Sequence, residues 1–119
     1  MKTKSFLLIT LFVTLSIQVT QARTKFDVEY LEKNKTKTSR IRSSVVTNNV
    51  LQLAHPDLKT YLRVESTEQE NGNYQLQIYI KDLKSGEVIA RPQIIAKPGE
   101  LAQIEVSNQY RVSLRASPN

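Results

Sequence analysis

Residues 74–81 read Tyr-Gln-Leu-Gln-Ile-Tyr-Ile-Lys, and this stretch decides the class of fold. Apolar side chains occupy every second position, namely Tyr74, Leu76, Ile78 and Ile80. A period of two is typical of a β-strand with one buried face, because successive side chains of a strand point to opposite faces of the sheet. We therefore predict a strand here and expect it to lie at the centre of a sheet.

Weaker versions of the same pattern lie on both sides of this stretch. They predict strands over residues 25–31, 50–53, 60–66, 88–96, 101–106 and 110–116. Turn residues such as Asn71-Gly72 separate the strands, and no segment beyond residue 22 has helical periodicity. Short strands between such turns predict an all-β fold, a small antiparallel β-sandwich of about seven strands. A small, partly open β-barrel is the alternative.

Two turns near the end of the chain give more detailed predictions. Pro92 cannot donate to a strand ladder, so it predicts an edge position or a bulge within residues 88–96. Pro98-Gly99 suits the central positions of a type II turn, because glycine accepts the positive φ that the second of them needs. The final hairpin, across residues 107–109, should align two apolar rows: Ala102, Ile104 and Val106 beside Tyr110, Val112 and Leu114.

The first residues have the composition of a secretory signal peptide. Lys2 and Lys4 precede an apolar run over residues 6–17, and Val19-Thr20-Gln21-Ala22 supplies the cleavage sequence. As a helix the run is about 18 Å long, too short for a hydrocarbon core of about 30 Å. We expect cleavage after Ala22 and no membrane span in what remains. The predicted organisation is a signal peptide (1–22), an N-terminal strand with a basic linker (23–43) and a β-sandwich domain (44–119).

Composition restricts the class of protein further. The chain contains no cysteine, which excludes disulfides, thiolate metal sites and an acylated cysteine anchor. Loss of Lys2 and Lys4 with the signal peptide lowers the basic residues from 17 to 15 against 11 acidic ones, a net charge of +4. This charge is too mild to indicate a polyanion-binding protein. We expect a periplasmic location, with secretion or the cell surface as the alternative.

Residues for catalysis or metal binding are sparse. His55 is the only histidine, so a nucleophile would have just this imidazole as its base, and we interpret it as a loop residue. The nearest approach to a carboxylate cluster lies beside a turn and indicates a solvated loop; it consists of Glu65, Glu68 and Glu70. We therefore predict that the protein is not an enzyme and has no metal site and no cofactor.

A basic stretch over residues 33–42 contains five basic residues and no acid, namely Lys33, Lys35, Lys37, Arg40 and Arg42. It is a linker, a long loop or an exposed edge. An extended chain would place the lysines on one face and the arginines on the other, so a single charged stripe does not form. Binding of an anionic lipid head group or glycan is the alternative function that this stretch suggests. Nucleic acid is not an expected partner, because no aromatic residue for base stacking lies between Tyr30 and Tyr61.

The predicted strand over residues 88–96 suggests protein binding. If Pro92 places it at a sheet edge, a partner can add a strand to its open backbone groups. The second face of this strand carries the candidate partner-binding residues, which are Ile89, Arg91, Gln93 and Ile95. If the sheet is covered on both sides, the same residues are ordinary core. An uncovered strand with apolar residues on its outer face would distinguish the two interpretations.

Residues 89–106 also resemble a hairpin of bacterial secretins, the outer-membrane channels of type II/III secretion and type IV pilus systems. The shared pattern is a proline, a short apolar strand, a turn, and then an alanine with alternating aliphatic residues; it falls on Pro92, Ala102, Ile104 and Val106. Ser107 replaces the glycine usual after the last aliphatic residue, and the chain lacks the barrel segments and ring domains of that family. The resemblance implies a stand-alone envelope β-domain that does not build a channel alone. The expected function is binding to another envelope protein, with a secretion or assembly component as the candidate.

Overall fold

A computed structural model describes residues 23–119 of the protein. The predicted signal peptide, residues 1–22, lies outside the described residues. The described part consists of nine strands joined by turns. They are β1 (Thr24–Lys33), β2 (Thr38–Thr47), β3 (Val50–Leu53), β4 (Thr60–Glu68), β5 (Tyr74–Asp82), β6 (Val88–Ala90), β7 (Gln93–Ala96), β8 (Ala102–Val106) and β9 (Tyr110–Pro118). Nowhere in residues 23–119 is there a helix that could cross a membrane.

The strands form two antiparallel sheets. One sheet has four strands in the order β2-β1-β9-β8, and the other has five, in the order β3-β4-β5-β6 with β7 also paired to β5. The two sheets pack face to face, and the described residues do not close into a barrel. The predicted small antiparallel β-sandwich is therefore confirmed, and β5 lies inside its sheet as expected.

The core follows from the period-two pattern. Every second residue of β4 and β5 faces inward, and Leu62, Val64 and Ile78 are completely buried. The facing sheet contributes Phe26 and Tyr30 from β1, also completely buried. Burying each such side chain stabilises the fold by about 1.5–3 kcal/mol relative to exposure. Without disulfides, this apolar layer and the backbone ladders hold the two sheets together.

The strand count differs from the expected value of about seven for two physical reasons. Residues 38–47 form β2, an edge strand ten residues long that pairs with β1 along its whole length. Residues 38–42 of the basic stretch therefore lie in an exposed edge strand, and residues 34–37 form the short turn before it. A domain boundary at residue 43 would fall inside β2. The second difference is that Pro92 interrupts the strand predicted over residues 88–96 and divides it into β6 and β7.

The predicted turns near the end of the chain are confirmed. The N–H of Glu100 donates to the carbonyl of Lys97 over 3.0 Å, and Gly99 has φ of 77°, as a type II turn requires. The β8–β9 hairpin pairs Val106 with Tyr110, and each further predicted pair also lies opposite: Ile104 with Val112 and Ala102 with Leu114. Asn108 and Ser107 have φ of 56° and 54° at the tip of this hairpin.

The Pro98-Gly99 turn carries the chain from one sheet to the other. β7 pairs with β5 in the five-stranded sheet, whereas β8 pairs with β9 in the four-stranded sheet. The two strands in the segment that resembles a secretin hairpin are therefore not paired with each other. This crossing leaves β7 at the margin of its own sheet.

Candidate functional site

The strip formed by β6 and β7 is the edge of the five-stranded sheet, and it holds one register against β5. Ala90 lies opposite Ile80, Ile94 opposite Leu76, and Ala96 opposite Tyr74. Between them the N–H of Ile78 donates to the carbonyl of Pro92 over 2.9 Å. The register shifts only beyond this stretch, beside Lys81.

This register determines which backbone groups of the strip are open. Residues of an antiparallel strand alternate between those bonded to the neighbouring strand and those pointing away from it. Because the Pro92 carbonyl accepts from β5, the backbone of Ile94 also faces β5. The N–H and C=O groups of Gln93 and Ile95 therefore point away from β5, towards the free edge.

The same alternation sends the side chains of Gln93 and Ile95 to the outer face of the sheet. Ile95 is 60% exposed and Ile89 is 45% exposed, and both Arg91 and Gln93 are exposed as well. These four side chains are therefore not part of the core. The structure brings the four candidate partner-binding residues together on one uncovered face, and the open backbone groups lie beside them.

Pro92 explains why this edge is irregular. It occupies a position that faces β5 but has no N–H to donate, so the carbonyl of Ile78 lacks its ladder partner. The side-chain amide of Gln77 lies at this gap, with its Nε2 atom 3.4 Å from the carbonyl oxygen of Ile78. The same amide donates to the carbonyls of Arg91 (3.1 Å) and Pro92 (3.2 Å). Gln77 thus attaches the interrupted strip to β5.

Beyond the strip, the outer face of the five-stranded sheet is half-buried and mixed in character. The Nζ atom of Lys81 lies 5.9 Å from the ring centre of Tyr61 and 5.6 Å from that of Tyr79. Both distances are within the range of a cation–π contact. Next to them Arg63 forms an ion pair with Glu65 at 2.8 Å. The strip formed by β6 and β7 therefore borders a surface whose charged side chains already have partners.

The basic stretch is ordered, and most of its charges are also partnered. Arg42 donates to Glu29 over 2.6 Å, and Arg40 approaches the same carboxylate at 3.8 Å. The hydrogen bond from Arg42 is the main cause that holds the pKa of Glu29 below its usual value. Lys37 lies 3.9 Å from Asp57. The remaining two cations, Lys33 and Lys35, are exposed at the end of β1 and in the β1–β2 turn.

The outer face of the four-stranded sheet brings Arg42 near other cations that the sequence separates. A shallow depression of about 580 Å³ is lined by Arg42, Arg115 and the carboxylates of Asp27 and Glu29. Arg111 lies on the same face and donates to Glu105 over 2.7 Å. The arginines are therefore interleaved with acids, although basic side chains outnumber acidic ones on this face because Lys25 and Arg40 also point outward.

Sequence reasoning missed a buried carboxylate that connects the two sheets. Glu32, at the end of β1, is 4% exposed and accepts from the N–H groups of Lys59 (3.0 Å) and Thr60 (3.1 Å). It also accepts from the Thr60 hydroxyl, so the Tyr30 hydroxyl, 2.6 Å away, donates to Thr60 in turn. Burial raises the pKa of Tyr30, which keeps this phenol protonated. The signal in the sequence was the position of Glu32, which is an even number of residues from Phe26, Val28 and Tyr30 and so shares their inward face.

His55 lies on an exposed turn between β3 and β4. Its Nδ1 atom accepts from the N–H of Asp57 over 3.1 Å, and its side chain is 43% exposed. Among residues 23–119 no group of three or more histidine, aspartate or glutamate side chains converges as a metal site. The carboxylates at residues 65, 68 and 70 lie at the end of β4 and in the turn after it.

The fold and this edge define a class: a small two-sheet β-sandwich with exposed isoleucines beside the open backbone groups of one edge. No family model, curated protein or solved structure matches the chain. The function must therefore be inferred from the exposed side chains and open backbone groups of the β6–β7 edge.

Proposed function

We propose that the protein is an exported, non-enzymatic periplasmic domain that binds another envelope protein by strand addition at the β6–β7 edge. The single observation that carries the proposal is the coincidence at Ile95, whose side chain is 60% exposed and whose backbone groups point away from β5. Strand addition needs both features, since main-chain hydrogen bonds supply affinity and alternate side chains supply specificity. A secretion or assembly component is the candidate partner that the secretin resemblance suggests.

The long edge strand β2 is less suited to strand addition. β2 offers ten residues, but its exposed face carries Arg40 and Arg42, which contact Glu29 of the adjacent strand. Charged side chains on an edge strand oppose pairing with another strand. The β6–β7 edge has no such ion pairs within the described residues and presents two isoleucines instead.

Binding of an anionic lipid head group or glycan through Lys33, Lys35, Lys37, Arg40 and Arg42 is the second candidate function. The observation in its favour is that Arg42 lies near Arg115 on one sheet face. The interleaved carboxylates of Asp27 and Glu29 weaken it, because an incoming anion must compete with them. Arg63 lies in the other sheet and does not contribute.

The decisive experiment compares partner capture by the wild-type protein and by Ile95→Pro, from cross-linked envelope extracts at low and high salt. Proline at this position removes an N–H that points to the free edge and leaves the ladder to β5 intact. We expect a specific protein to be retained by the wild type at both salt concentrations and lost from the variant. Equal retention by both proteins would refute strand addition here.

A matched variant, with Arg40 and Arg42 both changed to alanine, tests the second function in the same extracts. We expect it to retain the partner as the wild type does. If the wild type instead retains lipid or glycan that leaves as salt rises, and this variant loses it, the basic stretch is the binding site.

The proposed location has a direct test. Fractionation of cells that make the full chain should place the protein in the periplasm, and the mass of the recovered protein should correspond to a chain that begins at Arg23. Recovery of the uncleaved chain in the cytoplasm would contradict the proposed export.

A further inference from the structure

The charges that flank the free edge indicate the chemistry of its partner. Arg91 and Lys97 lie two residues before Gln93 and two residues after Ile95, and both are exposed. Neither forms an ion pair with another residue of the described part of the chain. Because residues of the same parity face the same way, Arg91 extends the row formed by Gln93 and Ile95, and Lys97 follows it at the start of the turn.

We infer that the partner segment is an extended peptide with an aliphatic residue opposite Ile95 and acidic residues opposite Arg91 and Lys97. This inference rests on the proposed strand addition and specifies what the added strand contains. In an antiparallel strand, positions that share a face are two residues apart, so the two acids stand six residues apart. The aliphatic residue stands two positions from the acid that faces Lys97.

A second copy of this chain is a poorer occupant for the same reason. Antiparallel self-pairing centred on Ile94 places Arg91 directly opposite Lys97 of the second copy. Like charges directly opposite each other in a sheet are destabilising. The flanking cations therefore favour an acidic partner and disfavour an edge-to-edge dimer in this register.

The test measures binding of fluorescent peptides to the purified protein by anisotropy. The probe is Glu-Thr-Val-Thr-Gln-Thr-Glu, and the control peptide has lysine in place of both glutamates. Two opposite-charge cross-strand pairs should lower the dissociation constant of the acidic peptide by about three- to tenfold relative to uncharged residues at the same positions. The difference from the lysine peptide, which places like charges opposite each other, should be larger. The double variant Arg91→Glu with Lys97→Glu should reverse the preference.

Equal binding of the two peptides, tighter binding of the lysine peptide to the wild type, or no binding of either would overturn the inference. A dimer in sedimentation that Ile95→Pro abolishes would also overturn it. The proposed function fails separately, when Ile95→Pro leaves capture of the envelope partner unchanged. If capture depends on Ile95 but neither peptide binds, strand addition stands and the acidic partner is wrong.

Discussion

The β2 edge and the β6–β7 edge belong to different sheets and are protected in opposite ways. β2 is a regular strand of ten residues whose arginines contact Glu29, and its hairpin is fixed to the other sheet by Glu32. The β6–β7 edge is short, is divided by Pro92, and pairs as a strand only with β5. Its exposed side chains include Ile89 and Ile95, and Ile95, at 60%, is more exposed than Val46, the exposed apolar residue of β2, at 38%.

The difference shows that length and regularity alone do not make an edge accessible to another strand. Charged side chains on a long edge strand oppose its pairing with another strand, even when they form ion pairs within their own sheet. A short edge is open when its backbone groups point outward and apolar side chains lie beside them. Four sets of substitutions test these differences. The first removes Glu32, which attaches the β1–β2 hairpin to the second sheet.

Glu32→Ala should give the largest effect, because it leaves the buried N–H and hydroxyl of Thr60 and the part-buried N–H of Lys59 without their acceptor. We expect the free energy of unfolding to fall by about 3 kcal/mol, measured by urea denaturation. Glu29→Ala, on the same strand but at the surface, is the matched control and should change the midpoint far less. Equal changes would mean that Glu32 does not fix the hairpin to the second sheet.

The second test contrasts neighbouring residues on the β6–β7 edge. Ile94→Pro removes an N–H that faces β5 and should lower the free energy of unfolding by about 2 kcal/mol. Ile95→Pro removes an N–H that faces outward and should cost less than about 1 kcal/mol. Thermal unfolding of both variants measures the difference. The reverse order would show that the assigned direction of the open backbone groups is wrong.

A smaller effect is expected at the turn that leads into β6. The N–H groups of Lys84 and Ser85 both donate to Asp82 over 2.9 Å, and these bonds lower the pKa of its carboxyl from the usual 3.8. The stability they contribute is present above pH 3.8 and is lost as pH falls through the lower pKa of the folded state. Asp82→Asn should therefore flatten the acid limb of stability measured against pH. An unchanged acid limb would contradict this origin.

The smallest effect concerns the charges of the β2 edge. Arg42→Ala should raise the pKa of Glu29 towards its usual 4.5, because the hydrogen bond from Arg42 is the main cause of its depression. Arg111→Ala removes only a weak, more distant attraction and should raise it much less. NMR titration of the Glu29 carboxyl measures both shifts. If the two variants shift the pKa equally, the hydrogen bond from Arg42 is not the main cause of the low pKa of Glu29.

The sequence predicts the sandwich because its strands are half-buried and alternate cleanly, as residues 74–81 do. Pro98-Gly99 and the final hairpin are predictable as well, since local φ preferences and one apolar row determine them. Residues 33–42 were ambiguous because polar alternation does not distinguish a solvated loop from an edge strand. The pairing of β7 with β5, and not with β8, depends on packing between the sheets and has no local signal.

The candidate site was only partly predictable. Proline at residue 92 indicates an irregular edge, and the alternation assigns Ile89, Arg91, Gln93 and Ile95 to one face. Whether that face is covered depends on the arrangement of the two sheets. The position of Glu32 indicates that it faces inward, but its hydrogen-bond donors at residues 59 and 60 lie in a distant part of the chain and give no local signal.

The pairing of β1 with β9 delays the completion of the four-stranded sheet during folding. Thr24 lies opposite Pro118, so the centre of the four-stranded sheet joins the two ends of the described chain. Contacts of such large sequence separation slow folding, because the chain loses loop entropy before the contact forms. A growing chain can form the β4–β5 hairpin early, but β1 gains its second neighbour only after residue 118 has been synthesised. Until then β1 has an open edge of its own, at which an incomplete chain can pair with other strands.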